Sequence, residues 1–316
     1  MTKAQAHNGG QQAASSTQVP EALNSLKSRI ETHYEVASDY FFSLWGEHIH
    51  HGYFKSPNDT KEQAQINLIH YLLEISDLPA GSKVLDVGCG IGGTSRFLAK
   101  ERGCKVTGIT NSKRQVQIAE GITASEVPLW SPSDSGPAEY PGAGSVQFLQ
   151  LDADAMLDHF SARGETFDCV WICETLYHLP NKAHFFNSAF SLLANSRSRL
   201  VVADWFRPTD LTTEQERRDI KPIQEGMLTQ RLFDEEEYLQ LAEEAGFRVR
   251  QAPINISKYV AKTWNISWSL VASPSVWLYA IWQGRDGIGF LLGIRAMKRG
   301  YANGTFMYKI MCFEKP

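Results

Sequence analysis

The middle of the chain alternates between short apolar runs and amphipathic stretches. The amphipathic stretches repeat apolar residues at helical spacing, and their helices are predicted to begin near Gly92, Ser112 and Asn181. This alternation is typical of strands and helices that follow one another in a parallel α/β sheet. The five predicted strands cover residues 83–87, 105–110, 146–152, 167–173 and 199–204.

Helical segments flank this core on both sides. Apolar residues recur at helical spacing over residues 20–53 and 63–78, before the first strand. Charged amphipathic helices are predicted after the fifth strand, over residues 213–225 and 234–245. Two further strands bring the predicted total to seven, and they cover residues 247–256 and 305–313.

Three segments fall outside this rhythm. Residues 1–19 contain almost no large apolar side chain, which predicts a disordered tail. Residues 127–145 are rich in proline and glycine and are interpreted as a surface insertion, either disordered or a lid, with disorder favoured. Residues 259–294 carry many aromatic side chains, but polar residues interrupt them before they reach transmembrane length, so they are interpreted as an amphipathic cap.

Composition narrows the classes of function. The chain has 31 Lys and Arg against 35 Asp and Glu, a net charge of -4, so no basic field favours a nucleic-acid partner. Five irregularly spaced cysteines indicate neither a disulfide framework nor a zinc site, and no metal is predicted. No secretory or transit signal is recognisable, so a cytoplasmic location is expected. No integral membrane span is predicted, although the aromatic cap leaves peripheral membrane contact open.

A glycine-rich turn follows the first predicted strand. Gly88 and Gly90 let the backbone turn sharply and let a ligand approach without a Cβ in the way. The next strand ends at Thr110 and Asn111, where a nicotinamide enzyme has an acid for its ribose. No Lys-Ser/Thr pair follows the glycines, as a phosphate-binding P-loop requires. The turn therefore indicates a nucleotide-type cofactor other than NAD, with a purely structural turn as the alternative.

Residues 86–99, which read DVGCGIGGTSRFLA, resemble the first motif of class I S-adenosylmethionine-dependent methyltransferases. The narrower resemblance is to the γ-tocopherol methyltransferase-like family, which includes plant alkaloid N-methyltransferases and fungal secondary-metabolite relatives. Tyr177 departs from the tocopherol enzymes, which have Glu before the histidine. The segments that carry the narrower resemblance are residues 44–53, 106–112 with Gln115, 259–264 and 297–301.

The resemblance implies a doubly wound, Rossmann-like α/β fold whose mostly parallel seven-stranded sheet has an antiparallel last strand. In that organisation residues 20–80 form an N-terminal helical segment over the cofactor, and residues 81–206 form the S-adenosylmethionine-binding core. Residues 207–316 form a helical cap and the last two strands. The residues implied for the methyl donor are Tyr34, Asp86, Gly88, Cys89, Gly90, Thr110, Asn111, Gln115, Asp152, Ala153 and Cys173.

Two of these assignments carry alternatives. Asp152 fits the strand register better than Asp154 as the acceptor for the adenine amine. Asn111 is the best side chain for the ribose, but Asn111 or Ser112 is also suited to cap the next helix. His50 and His51, before the core, belong to an aromatic group that could fold over the donor, and they lack a third ligand for a metal.

Glu174 and His178 are the candidate catalytic residues. They lie four apart after the fourth strand and would share one face if this segment is helical. His178 is a candidate general base, because an imidazole accepts a proton near neutral pH. The alternative is a buried histidine, bonded to Glu174, that only shapes the pocket. Cys173 has no adjacent base, so covalent catalysis is not predicted.

The expected function is methyl transfer to an apolar small molecule in secondary metabolism. Aromatic residues, 11% of the chain, are the internal indication that the acceptor is apolar. Nitrogen is the favoured target, followed by the oxygen or a ring carbon of a phenol. Two other classes remain as alternatives: a methyltransferase-like binding protein without activity, and an NAD-dependent oxidoreductase.

Overall fold

The computed structural model describes residues 38, 42, 45–134, 136–271, 277–278, 281 and 284–316. The predicted tail, the first part of the predicted N-terminal helical segment and Tyr34 lie outside these residues. In the part of the chain that is described, no helix is long and apolar enough to cross a membrane.

One mixed sheet forms the centre of the described fold, with the strand order β3-β4-β2-β1-β5-β6-β8-β7. The strands β4, β2, β1, β5 and β6 are parallel, whereas β8 runs antiparallel between β6 and β7. The seven predicted strands and the antiparallel last strand are confirmed. The strands are β1 (Lys83–Val87), β2 (Lys105–Thr110), β3 (Ala138–Glu139), β4 (Ser145–Gln150), β5 (Cys169–Cys173), β6 (Arg199–Phe206), β7 (Arg248–Asn255) and β8 (Met307–Glu314).

Helices cover both faces of the sheet and cap one end of it. The predicted helix starts are confirmed by local capping, because Ser112 accepts from the backbone of Gln115 and Asn181 from that of His184. A π-helical turn at Glu216–Ile220 joins two of the helices. They are α1 (Lys61–Ser76), α2 (Gly93–Arg102), α3 (Lys113–Glu126), α4 (Met156–Ser161), α5 (Lys182–Leu192), α6 (Thr213–Gln215), α7 (Lys221–Gly226), α8 (Glu235–Glu244), α9 (Ser257–Val271) and α10 (Arg285–Asn303).

The core has two layers, one on each face of the sheet. Alternate residues of β5 divide between them: Trp171 packs in one layer, while Val170 and Ile172 pack in the other. Because both faces are covered, the strand consists of consecutive buried residues rather than alternating apolar and polar ones. This is the arrangement of a doubly wound fold.

The segment at residues 127–145 corrects an expectation. Ala138–Glu139 within it is ordered, because it pairs antiparallel with β4 as an eighth strand. Tyr140 is buried beside this strand and donates to the Glu126 carboxylate at 2.6 Å. The described residues of the segment do not line the large cavity at the carboxyl end of the sheet. The lid interpretation therefore also fails for these residues, which cover a sheet edge instead.

A buried carboxylate anchors the C-terminal cap. Asp219, in the π-helical turn, accepts from Arg299 at 2.6 Å and from Asn303 and Thr305 at 2.9 Å each. Burial alone would raise the pKa of Asp219, but these donors and Arg218 hold it well below its usual range. The ionised group thus ties α10 to the turn before α7.

Candidate active site

A cavity opens at the carboxyl ends of the parallel strands, the usual ligand position in such sheets. The structure brings together every predicted site residue that it describes. The cavity is lined by the predicted residues Asp86, Gly88, Cys89, Gly90, Thr110, Asn111, Gln115, Asp152, Ala153, Cys173, Glu174 and His178.

The glycine turn shapes one wall of this cavity. Gly88 and Gly90 have φ values of 75° and 53°, in the left-handed region that favours glycine. A Cβ on Gly88 would lie 2.1 Å from the Thr175 hydroxyl, whereas a Cβ on Gly90 would meet nothing within 4 Å. Gly88 is therefore required by packing, and Gly90 offers bare backbone to a ligand in the cavity.

Asp86 supplies a buried carboxylate beside this turn. Its Oδ2 accepts from the Ser95 hydroxyl at 2.6 Å, and burial raises the pKa of Asp86 to about 6. A cation near a buried carboxylate favours its ionised form. Asp86 and the bare Gly90 backbone therefore fit the ammonium-bearing end of S-adenosylmethionine.

The remaining residues predicted to bind the methyl donor lie at the ends of the neighbouring strands. Thr110 donates to Gln115 at 2.6 Å, so these two side chains hold each other in the cavity wall. Ser112, not Asn111, caps α3, which leaves the Asn111 side chain available to the cavity. Asp152 lines the cavity and Asp154 does not, in agreement with the register argument.

The segment after Glu174 is not α-helical, so the face that Glu174 and His178 would share in a helix is not formed. Glu174 has a φ of 53°, and the residues after it form a short 3-10 turn, so the two side chains do not share an α-helical face. The carboxylate instead accepts from the His51 backbone at 2.6 Å and from the Tyr308 hydroxyl at 2.8 Å. Its second oxygen lies 2.7 Å from His51 Nδ1. Glu174 is thus held by partners from both ends of the described chain.

These contacts set the charge of Glu174. Burial alone would raise the pKa of Glu174, but the neighbouring His51 ring and its hydrogen bonds hold it below the usual range. The group is therefore a buried carboxylate at neutral pH. His178 lines the same cavity, where its ring lies 4.2 Å from the Tyr177 ring. Both roles suggested for His178, base and positioning group, stay predictions.

An aromatic chamber surrounds His51, and we define it by the rings of Trp205, Trp264, Tyr301 and Tyr308. Trp264 and Tyr308 are closest, with ring centroids 4.8 and 5.0 Å from that of His51. Trp205 also stacks on Tyr177 at 3.9 Å, and Tyr177 lines the cavity. The chamber therefore adjoins the cavity, and Trp264 brings part of the predicted aromatic cap to it.

Two functional candidates were missed or undervalued by the sequence. Asp204 accepts from the backbone of Leu176 at 2.7 Å and so holds the turn that carries His178. Burial raises the pKa of Asp204 to about 7.

His48 lines the cavity, and burial lowers its pKa to about 3. The only sequence signal for His48 was its place in the histidine-rich stretch before α1.

One group of described residues resembles a metal site only by proximity. Potential ligand atoms of His50, Cys173 and Glu174 lie within 4.8 Å of one another. Both Glu174 oxygens already accept from protein donors, and burial raises the pKa of the Cys173 thiol well above its usual value. A protonated thiol is a poor ligand. The absence of a metal stays a prediction.

Comparison with known proteins identifies the family. A sequence model described as "Methyltransferase domain" matches residues 59–252, more than half of the chain. The chain belongs to this methyltransferase family. The methyltransferase is 32% identical over 245 residues to 2-methyl-6-phytyl-1,4-hydroquinone methyltransferase of Synechocystis sp., across 76% of this chain and 67% of that protein. It is 25% identical to tocopherol O-methyltransferase, chloroplastic, of Arabidopsis thaliana, across 93% and 84% of the two chains.

A solved structure shares the fold of the methyltransferase. The cyclopropane synthase MmaA2 of Mycobacterium tuberculosis superposes with a TM-score of 0.73 at 18% identity, covering 91% of this chain and 98% of that one. The methyltransferase is a class I, S-adenosylmethionine-dependent enzyme with relatives among the tocopherol methyltransferases, and it acts on small molecules. The alternatives of an inactive binding protein and an NAD-dependent oxidoreductase are thereby set aside.

Proposed function

We propose that the methyltransferase transfers a methyl group to a hydroxyl oxygen of an apolar, ring-containing small molecule. The observation that carries the proposal is the apolar part of the cavity lining. Tyr177, Leu179 and Pro180 line the cavity together with His178, and the Tyr177 ring is stacked on the ring of Trp205. Apolar walls with a few polar groups are typical of small-molecule sites.

The preference for oxygen replaces nitrogen as the first choice. Methylation at oxygen is named for the Arabidopsis relative, and none of the relatives described above is named for methylation at nitrogen. A hydroxyl also has to lose its proton during the reaction. Three histidines, His48, His50 and His178, line the cavity, and an imidazole is suited to that task. Ring carbon is the second candidate and nitrogen, the first choice from the sequence, becomes the third.

The test uses three acceptors with the same apolar body. We would incubate the full chain with methyl-labelled S-adenosylmethionine and 4-hexylphenol, 4-hexylaniline or 4-hexylanisole, and locate the label by mass spectrometry and NMR. Parallel reactions would contain γ-tocopherol and 2-methyl-6-phytyl-1,4-hydroquinone. We expect label on the oxygen of the hydroxylated acceptors. Preferential labelling of nitrogen, or of carbon in every phenol, would contradict the proposal.

Two further expectations belong to this proposal. Leu278, Ile281, Ile288 and Leu292 expose large apolar side chains on or near α10, which supports peripheral contact with a membrane that holds an apolar acceptor. Sedimentation with phosphatidylcholine vesicles, compared with an Ile288→Ser/Leu292→Ser variant, measures that contact.

A cytoplasmic location is likewise proposed, and fractionation of the source cells tests it.

A further inference from the structure

His50 is held firmly in the cavity wall by the loop before α1. Its backbone carbonyl accepts from Trp45 Nε1 at 3.3 Å and from Gln65 Nε2 at 3.1 Å. Gln65 lies on α1, so the helix fixes the position of the loop. His50 lines the cavity, yet the residue is only 8% exposed.

The hydrogen bonding of the ring decides its tautomer. His50 Nδ1 lies 2.8 Å from the backbone carbonyl oxygen of His51. A carbonyl oxygen only accepts hydrogen bonds, so Nδ1 carries the proton and the neutral ring keeps a lone pair on Nε2. Nε2 is buried and has no hydrogen-bond partner among the described residues. A buried acceptor without a partner calls for a ligand that donates to it.

The charges around His50 suit a ring that is neutral at rest and charged only briefly. Burial lowers the pKa of His50, while the hydrogen bond to the His51 backbone raises it and the charge of the His51 ring lowers it. The Glu174 carboxylate opposes this by favouring the imidazolium. The His48 ring lies 5.3 Å away, and burial keeps it neutral as well. Burial also raises the pKa of the nearby Cys173 thiol well above its usual value, so this group is neutral too.

We propose that His50 Nε2 is the general base that removes the proton from the acceptor hydroxyl. This rests on the proposed methylation at oxygen. As the acceptor oxygen forms its bond to the methyl group, the S–CH3 bond of the donor breaks and its electron pair stays on sulfur. The O–H electron pair stays on oxygen, and the proton passes to Nε2. The positive charge lost from sulfur reappears on His50, beside the Glu174 carboxylate, and the proton then leaves to solvent.

His178 is the competing base in the same cavity. The two histidines lie on different segments of the cavity wall. His50 is fixed by a backbone carbonyl on its own loop, whereas His178 sits at the end of a 3-10 turn. Substitutions at the two positions therefore separate the roles. If His50 is the base, His178→Gln affects the KM of the acceptor more than kcat.

The first experiment determines the tautomer of His50 and does not require methyl transfer. Nitrogen-15 NMR of the full chain, labelled at histidine and saturated with S-adenosylhomocysteine, assigns His50 by comparison with His50→Asn. We expect protonated Nδ1 and unprotonated Nε2 at neutral pH, and a shift of the Nε2 resonance when 4-hexylphenol is added. A proton on Nε2, or an Nε2 resonance that saturating phenol leaves unmoved, overturns the proposal.

The second experiment measures rate against binding. His50→Asn keeps a donor for the His51 carbonyl but lacks Nε2, so we expect kcat to fall by about 10²- to 10⁴-fold. Affinity for S-adenosylhomocysteine, measured by calorimetry, is expected to stay unchanged. His70→Asn, at an exposed position on α1 that does not line the cavity, is the matched control. Wild-type kcat in His50→Asn overturns the proposal. Preferential methylation of 4-hexylaniline contradicts the proposed function instead, while the tautomer measurement still stands.

Discussion

Glu174 is the position where a single substitution tests the structure most sharply. Its carboxylate accepts three hydrogen bonds, from the His51 backbone, the His51 ring and the Tyr308 hydroxyl. In Glu174→Gln the amide offers one acceptor oxygen, and its NH2 group then faces a donor. Each hydrogen bond to a charged group contributes about 1.5–3 kcal/mol. Because the amide cannot accept all three of these bonds, we expect Glu174→Gln to lower the free energy of unfolding by about 1.5–3 kcal/mol.

A substitution of His51 measures the contribution of its ring nitrogen to the binding of the Glu174 carboxylate. His51→Phe preserves aromatic packing against Trp264 and Tyr308 and removes one of the three donors. We expect it to cost about 1.5–3 kcal/mol, since the carboxylate keeps its other two hydrogen bonds. Because the two residues interact directly, the double variant is expected to lose less stability than the two single losses added together.

The assay is urea unfolding at pH 7.5, followed by tryptophan fluorescence. The pKa of Glu174 is lowered in the folded protein, so its stabilising contribution is complete above the unfolded value and is lost only as pH falls through the folded one. The exposed Glu243→Gln is the control and is expected to lie within about 0.5 kcal/mol of wild type. A loss below about 1 kcal/mol in Glu174→Gln, or strict additivity with His51→Phe, would refute this reasoning.

Three further predictions follow from other parts of the structure. Gly90→Ala is expected to lose about 1–2 kcal/mol of stability because of its positive φ, and to bind S-adenosylmethionine more weakly in calorimetry. Gly88→Ala must also displace Thr175, so it is expected to be less stable in urea than Gly90→Ala. Equal affinity for S-adenosylmethionine in wild type and Gly90→Ala would contradict this prediction. Burial lowers the pKa of His48 to about 3, so below pH 6.5 the unfolded chain binds more protons than the folded one, and this residue makes the protein about 2 kcal/mol less stable at pH 5 than at neutral pH. Urea unfolding of His48→Gln should therefore depend less on pH, and an unchanged pH dependence would count against the burial of His48. Asp219→Asn is expected to cost about 1.5–3 kcal/mol and to make α10 more sensitive to limited proteolysis, and resistance equal to wild type would show that the cap does not depend on this carboxylate.

Local rules explain why the strands and helix starts could be predicted. A strand covered on both faces is an apolar run in the sequence, and a helix start needs a side chain such as Ser112 within three residues of its partner. The strand within residues 127–145 was not predicted, because it depends on contacts with distant residues rather than on local rules. Its order depends on pairing with β4 and on Tyr140 reaching Glu126, and neither contact is visible in proline and glycine content.

The sequence by itself determined the donor side of the cavity. Asp86, Gly90, Thr110 and Asp152 come at or just after the carboxyl ends of parallel strands, and parallel strands bring those ends to one edge of the sheet. Once the strand order of the family is implied, adjacency in space follows from position along each strand. No long-range contact has to be known in advance.

Only the tertiary structure decided the acceptor side. Glu174 contacts His51 and Tyr308, which lie 123 and 134 residues away in the sequence. The left-handed backbone at Glu174 turns its carboxylate to where the loop before α1 and the start of β8 meet over the end of the sheet. Helical and strand periodicity describe neighbours within one element. They carry no information about which distant segments cross above it, so the partners of a buried charge are found only in the folded chain.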